Sequence, residues 1–235
     1  MNQRERLDIL GRHAAMLIAP GNRVGLGSGS TAEAFIRALG ESVAEGLRIE
    51  AVATSRRSAH LARSLGIPLV SIDDVDGLDL GIDGADEIDP ALNLTKGRGG
   101  ALLFEKLVAR ICRKFVVVAA EDKLVPMLGM RMPLPVEIVP FAWRHTASAI
   151  EALGLQVSLR CHDSTYDPDP FLTDGGHFLL DCVTGPVNDA LSLANQLKAI
   201  PGVVDHGYFV GMASSCLIVG QDGNVRTVLP VSWPE

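Results

Sequence analysis

Apolar positions in the first half of the chain fall into two kinds of segment that take turns: short solid runs and stretches at helical spacing. Leu7, Leu10, Ala14, Leu17 and Ile18 recur at helical intervals up to Pro20-Gly21, which predicts a first helix. Arg23 to Leu26 reads as a short strand feeding a glycine turn, and Thr31 to Ala44 as a helix. Arg48 to Ala53 reads as a strand, Ser55 to Leu65 as a helix and Ile67 to Val70 as another strand. Leu78 to Ile82 is a predicted strand, Ala101 to Cys112 a helix and Phe115 to Ala119 a fully buried strand. Such alternation builds parallel βαβ units, so the predicted class is α/β: a Rossmann-like, mostly parallel sheet with helices on both faces.

The pattern changes after Pro126. Met132 to Pro140 is a proline-bracketed strand, Ala142 to Leu153 a helix and Leu155 to Leu159 a strand. His162 to Pro170 reads as a polar loop, Gly176 to Cys182 as a strand and Val187 to Ile200 as a helix ended by Pro201-Gly202. With a strand from Val203 onward, the order β-α-β-β-α-β predicts a small ferredoxin-like α+β unit. Ser214 to Val219 and Asn224 to Leu229 read as two further strands that return to the first unit. The expected division is therefore 1–127 with 205–235 as the larger domain and 128–204 as the smaller.

Composition narrows the partners. The 235 residues carry a net charge of −7, which argues against a nucleic-acid partner but not against a small phosphorylated ligand. The longest apolar runs, Ala14 to Ala19 and Phe115 to Ala120, fall far short of the ~18 residues of a membrane helix. The N-terminus has no signal-peptide pattern, and the four cysteines show neither CxxC spacing nor a disulfide framework. The expectation is a cytoplasmic protein with no metal and no membrane partner.

Two stretches carry candidate chemistry. Gly25-Leu-Gly27-Ser28-Gly29-Ser30-Thr31 links a strand to a helix, where free N–H groups favour an anion. Its spacing is GxGxG rather than GxGxxG, and the next strand ends in Ala53-Thr54-Ser55 without a ribose-binding acid, so a phosphate or sugar oxygen fits better than a dinucleotide. The plainer alternative is a glycine turn capped by Ser30 or Thr31. Further on, Asp83-Gly-Ala-Asp86-Glu87-Ile-Asp89 follows a strand and leads to Lys96-Gly97-Arg98-Gly99-Gly100 and Glu105. Acids beyond a strand end are placed for proton transfer, although Asp83 and Asp86 also suit a turn. Glu87 and Asp89 read as solvated loop residues, and Lys106 and Arg110 as solvated helix residues. The Gly97 to Gly100 amides suit an oxyanion. Glu105 alone reads as an exposed helix glutamate, and Lys123, after the strand at Phe115, as a surface lysine or a phosphate ligand.

Together GSGSTA, DGADEID and KGRGGALLFEK, in this order, resemble ribose-5-phosphate isomerase of type A. Leu134-Pro-Val-Glu-Ile-Val-Pro, Phe171-Leu-Thr-Asp-Gly, Ile200-Pro-Gly-Val-Val and His206-Gly-Tyr-Phe extend the resemblance over nearly the whole chain. It implies interconversion of D-ribose 5-phosphate and D-ribulose 5-phosphate through an enediolate, without metal or organic cofactor, by a homo-oligomer (dimer or tetramer). On that resemblance Glu105 is the general base, and Asp83, Asp86 and Lys96 are its catalytic companions. Ser28, Gly29, Ser30, Thr31, Gly84, Ala85, Gly97, Arg98, Gly99 and Lys123 bind substrate together with Asp83, Asp86 and Lys96. Phe104, Arg98 and Thr173-Asp-Gly-Gly-His depart from the family pattern without removing a catalytic group. Two alternatives stay open: a sibling deaminase, lactonase or CoA transferase on a similar scaffold, and a non-catalytic sugar-phosphate sensor.

Overall fold

The computed structural model describes residues 1–162 and 169–231, so most of the loop expected across His162 to Pro170 lies outside the described residues. The chain opens with α1 (Gln3–Ala15), β1 (Arg23–Leu26), α2 (Ser30–Ala44), β2 (Glu50–Ala53) and α3 (Arg56–Ser64). Next come β3 (Leu78–Asp83), β4 (Glu87–Ile88), β5 (Leu94–Thr95), α4 (Leu102–Ile111) and β6 (Cys112–Ala120). Then follow β7 (Leu134–Ile138), α5 (Trp143–Glu151), β8 (Gln156–Leu159), β9 (Phe178–Val183) and α6 (Ala190–Lys198). The last strands are β10 (Val203–His206), β11 (Tyr208–Phe209), β12 (Ser215–Val219) and β13 (Val225–Val228).

Six strands form the main sheet in the order β13-β12-β6-β3-β1-β2, all pairs parallel except β12–β13 at one edge. Side chains alternate across a strand, and β6 shows the consequence. Val116 and Val118 join Leu10, Phe35 and Leu39 in the core beneath α1 and α2. Phe115, Val117 and Ala119 face the other way, onto Ala109 of α4 and Ile218. A solid apolar run is what a strand covered on both faces requires. The two tail strands return to this sheet as expected.

The segment Ile67 to Val70, expected as a strand, makes only a single bridge, Leu69 to Ala51. Pro68 has no N–H to extend a ladder, so the contact stops at its carbonyl and the Val70 N–H. The second sheet has the order β10-β7-β9-β8, all antiparallel, with α5 and α6 as its helices. This is the split βαβ arrangement the sequence order predicts. A third sheet, β11-β5-β4, escapes sequence reading because two-residue strands are too short to show a period.

Of the residues expected to be solvated, Glu87 is buried and Lys106 half-buried. Glu87 is 1 % exposed: its carboxylate accepts N–H donations from Gly129 and Arg131, both at 2.7 Å, and from Met132 at 3.2 Å. The Thr95 hydroxyl adds a fourth at 3.1 Å. A buried carboxylate is tolerable only when it is hydrogen-bonded in this way. Lys106 pairs with Asp205 at 2.5 Å, donates to the His206 carbonyl and lies over the Phe209 ring, joining α4 to β10.

Replacing Glu87→Ala leaves those donors without an acceptor and should cost about 3 kcal/mol, whereas Glu87→Gln keeps an acceptor and should cost about 1 kcal/mol. Chemical denaturation of the two variants checks this. Equal stability of Glu87→Ala and the unsubstituted protein would show that the carboxylate does not hold the 129–132 segment.

Candidate functional site

Strand order in the main sheet reverses between β1 and β3: from β1 the chain winds to β2, and from β3 it winds to β6 and β12. At such a switch point a crevice opens beyond the carboxyl ends of the strands. A cleft of about 380 Å³ lies there. It is lined by Ser28, Gly29, Ser30, Thr31, Gly84, Ala85, Asp86, Lys96, Gly97, Arg98, Gly99, Glu105 and Lys123, so nearly every residue singled out in the sequence meets here. Asp83 is the exception. It lies beneath the lining, 2 % exposed, and acts on the cleft through Lys96.

Each element delivers its part for a local reason. β1 runs straight into Gly27, where a Cβ would sit 2.1 Å from Asp83 Oδ1, so only glycine lets the β1 and β3 ends approach. Asp83 Oδ1 then accepts the N–H groups of Ser28 at 3.0 Å and Gly84 at 2.7 Å. α2 starts on Gly29, which offers no side-chain cap, so the first N–H groups of a 15-residue helix face the cleft. Lys123 arrives on a short 3₁₀ turn, Glu121–Lys123, at the end of β6.

The interior of the site is an ion cluster. Lys96 Nζ lies 3.0 Å from Asp83 Oδ2 and 3.2 Å from Glu105 Oε2, and donates to the Gly84 carbonyl at 2.6 Å. Among the described residues, neither carboxylate oxygen receives a directed hydrogen bond; each is held at ion-pair distance. Glu105 is 5 % exposed, not the surface glutamate its position alone suggests. Its ionisation is pushed up to about 8, first by burial and then by the Asp83 charge, with Lys96 countering. Burial likewise raises Asp83 against the pull of Lys96 and two amides. Burial alone would lower Lys96; the carboxylates of Asp83 and Glu105 outweigh it and hold the ammonium above its ordinary value.

The loop after Lys96 divides its amides. Arg98 N–H donates to Asp86 Oδ2 at 3.0 Å, and Gly100 N–H closes a turn on the Gly97 carbonyl at 3.0 Å. Gly97 and Gly99 N–H have no acceptor among the described residues, so two of the four expected amides remain for a ligand. Gly97 adopts φ +106°, which the turn needs and a side chain would resist. The Ser28 hydroxyl is also engaged, within 2.8 Å of Thr54 and Ser55 and 3.2 Å of Ser58, and so fixes the loop more than it meets a ligand. Thr54 and Ser55 follow β2, at the strand end that the sequence marks only by its lack of a ribose-binding acid. Gln3 and Leu7 of α1 also line the cleft, and nothing in the sequence marks them. Among the described residues no group of three or more His, Cys, Asp or Glu is placed to hold a metal ion.

Comparison with known proteins gives the family and the fold. The family model of ribose 5-phosphate isomerase A (phosphoriboisomerase A) matches residues 50–223. Ribose-5-phosphate isomerase A of Thermomicrobium roseum is 50% identical over 216 residues, covering 92% of this chain and 90% of that protein. Its counterpart in a Synechococcus species is 49% identical over 212 residues, covering 89% of this chain and 91% of that protein. The structure of ribose 5-phosphate isomerase A from Methanocaldococcus jannaschii superposes with a TM-score of 0.90 at 36% identity, covering 97% of this chain and 100% of that one. A D-ribose-5-phosphate isomerase in complex with phospho-erythronic acid gives 0.92 at 35% identity, again over 97% and 100%. By sequence and by fold, the chain belongs to the ribose 5-phosphate isomerase A family.

Proposed function

We propose that the protein interconverts D-ribose 5-phosphate and D-ribulose 5-phosphate, with Glu105 as the base that carries a proton between C2 and C1. The observation that carries this reading is a buried carboxylate on the wall of the cleft, 3.2 Å from a buried ammonium, a setting that pushes its ionisation up to about 8. A base works best with a pKa near the operating pH, and Glu105 gains its charge as pH rises through that value. Family membership and the relative solved with phospho-erythronic acid support the substrate class.

The open-chain aldose loses its C2 proton to Glu105, and charge develops on the carbonyl oxygen as the enediolate forms. Lys96 Nζ and the Gly97 and Gly99 amides are the donors for that oxygen; losing one donor of this kind costs about 3 kcal/mol. Returning the proton to C1 completes the ketose. Asp83 has both oxygens committed, one to two amides and one to Lys96, and serves as the anchor of the cation. Asp86 lines the cleft and keeps one oxygen outside its bond to Arg98, so ring opening and hydroxyl proton transfer fall to it. The phosphate belongs at the α2 N-terminus with Lys123, where helix amides and an ammonium converge.

Glu105→Gln should lower kcat about 1,000-fold or more while leaving substrate binding nearly intact. In the same assay Lys123→Ala should raise KM about tenfold with little change in kcat. A Glu105→Gln variant that turns over at the native rate removes Glu105 from the role of base, and an unchanged KM clears Lys123 of phosphate binding.

The same proposal has the chain acting as a homo-oligomer in the cytoplasm. Free thiols at all four cysteines fit a reducing compartment, and the exposed Phe141, Leu172 and Leu191 suit burial between copies. Among the described residues no helix is long and apolar enough to cross a membrane. Sedimentation should give a dimer or larger; a monomer at assay concentration contradicts the oligomer.

A further inference from the structure

The loop from Lys96 to Gly100 is held from outside the main sheet, by a residue that the chemistry above does not use. Arg160 directly follows β8 in the four-stranded sheet. Its Nη1 donates to the carbonyls of Gly97 at 2.9 Å and Arg98 at 3.0 Å. Its Nε donates to Asp181 Oδ2 at 2.9 Å, and its Nη2 donates to Asp181 Oδ1. The pair is mostly buried, with side chains 16% and 22% exposed. The two-pronged contact to Asp181 fixes the plane of the guanidinium, which a single lysine ammonium cannot do.

Peptide geometry converts this contact into an orientation. In a trans peptide the carbonyl of one residue and the N–H of the next point in opposite directions. With the Gly97 carbonyl on Arg160, the Arg98 N–H points away from it, and this is the N–H that reaches Asp86. With the Arg98 carbonyl on Arg160, the Gly99 N–H also points away from the guanidinium, on the side of Asp86 and the cleft. Two peptide planes that serve the site are thus set by one guanidinium from the neighbouring sheet.

We propose that Arg160, fixed by Asp181, is a positioning residue for the isomerisation: it aims the Gly99 N–H and seats the Asp86 carboxylate by holding the carbonyls of Gly97 and Arg98. This rests on the isomerase reading above. Arg160 is absent from the cleft lining, so its loss should act on turnover rather than on substrate affinity.

The test assays Arg160→Ala and Arg160→Lys on D-ribose 5-phosphate beside the unsubstituted protein, with folding followed by circular dichroism. Arg160→Ala should lose about 100-fold in kcat, the size of effect expected when a catalytic group is misplaced by about 1 Å. KM should stay within about twofold. Added methylguanidinium should restore part of the lost kcat in Arg160→Ala and none in Glu105→Gln. Arg160→Lys keeps a charge beside Asp181 but loses the two-pronged contact that fixes the donor over the carbonyls, and should show a similar loss. Native kcat in either folded variant overturns the assignment, as does a raised KM with unchanged kcat. Failure of both variants to fold would mean that Arg160 holds the fold rather than the loop, and also overturns it. Inactivity of the unsubstituted protein is a separate result, which sinks the isomerase reading and this assignment with it.

Discussion

The burial of one ammonium between two carboxylates governs the site. Lys96, Asp83 and Glu105 are all at most 5 % exposed, and the two ion-pair distances are 3.0 and 3.2 Å. Charges withdrawn from water are costly unless paired, and here one cation faces two acids. The mismatch is resolved by raising the acids: burial pushes up both Asp83 and Glu105 against the pull of Lys96, Glu105 to about 8. The sign of the linkage follows. Between the ordinary value of 4.5 and about 8, the folded chain keeps a proton that the unfolded chain has lost, so stability falls as pH rises through that window. The site gains a base near neutrality at the expense of stability.

The rest of the architecture serves to keep that cluster dry and aligned. Asp83 ends β3, Gly27 and Ser28 follow β1 and Lys123 follows β6, so three neighbouring parallel strands deliver their ends to one crevice. Glu105 comes from the first turn of α4, and Lys106 beside it ties that helix to β10 through Asp205. Lys96 is fixed by its N–H on the Gly207 carbonyl, at the junction of β10 and β11. The second sheet is therefore part of the site's support.

What could be read from the sequence was local. The solid run at Phe115 to Ala119, the glycine turn after Leu26 and the acids after Ile82 each carry their meaning within a few residues. Strand-end position then brings the candidates together. What escaped reading depends on distant partners. Glu87 is indistinguishable from a solvated loop acid until the 129–132 amides close on it, and Lys106 until Asp205, 99 residues on, takes its charge. Arg160 reaches Gly97 across 63 residues and carries no motif of its own. Ile67 to Val70 failed for the opposite reason: its composition suits a strand, but Pro68 removes the N–H that a ladder needs.

The most direct test of this account is the titration of Glu105 itself. Protein labelled with ¹³C at the glutamate side-chain carboxyls would be followed by NMR from acid to alkaline pH, with the resonance assigned by its loss in Glu105→Gln. The account predicts one carboxyl that titrates near 8. A Glu105 resonance titrating near the ordinary 4.5 would contradict it, because the buried ammonium would then have left the second acid unperturbed.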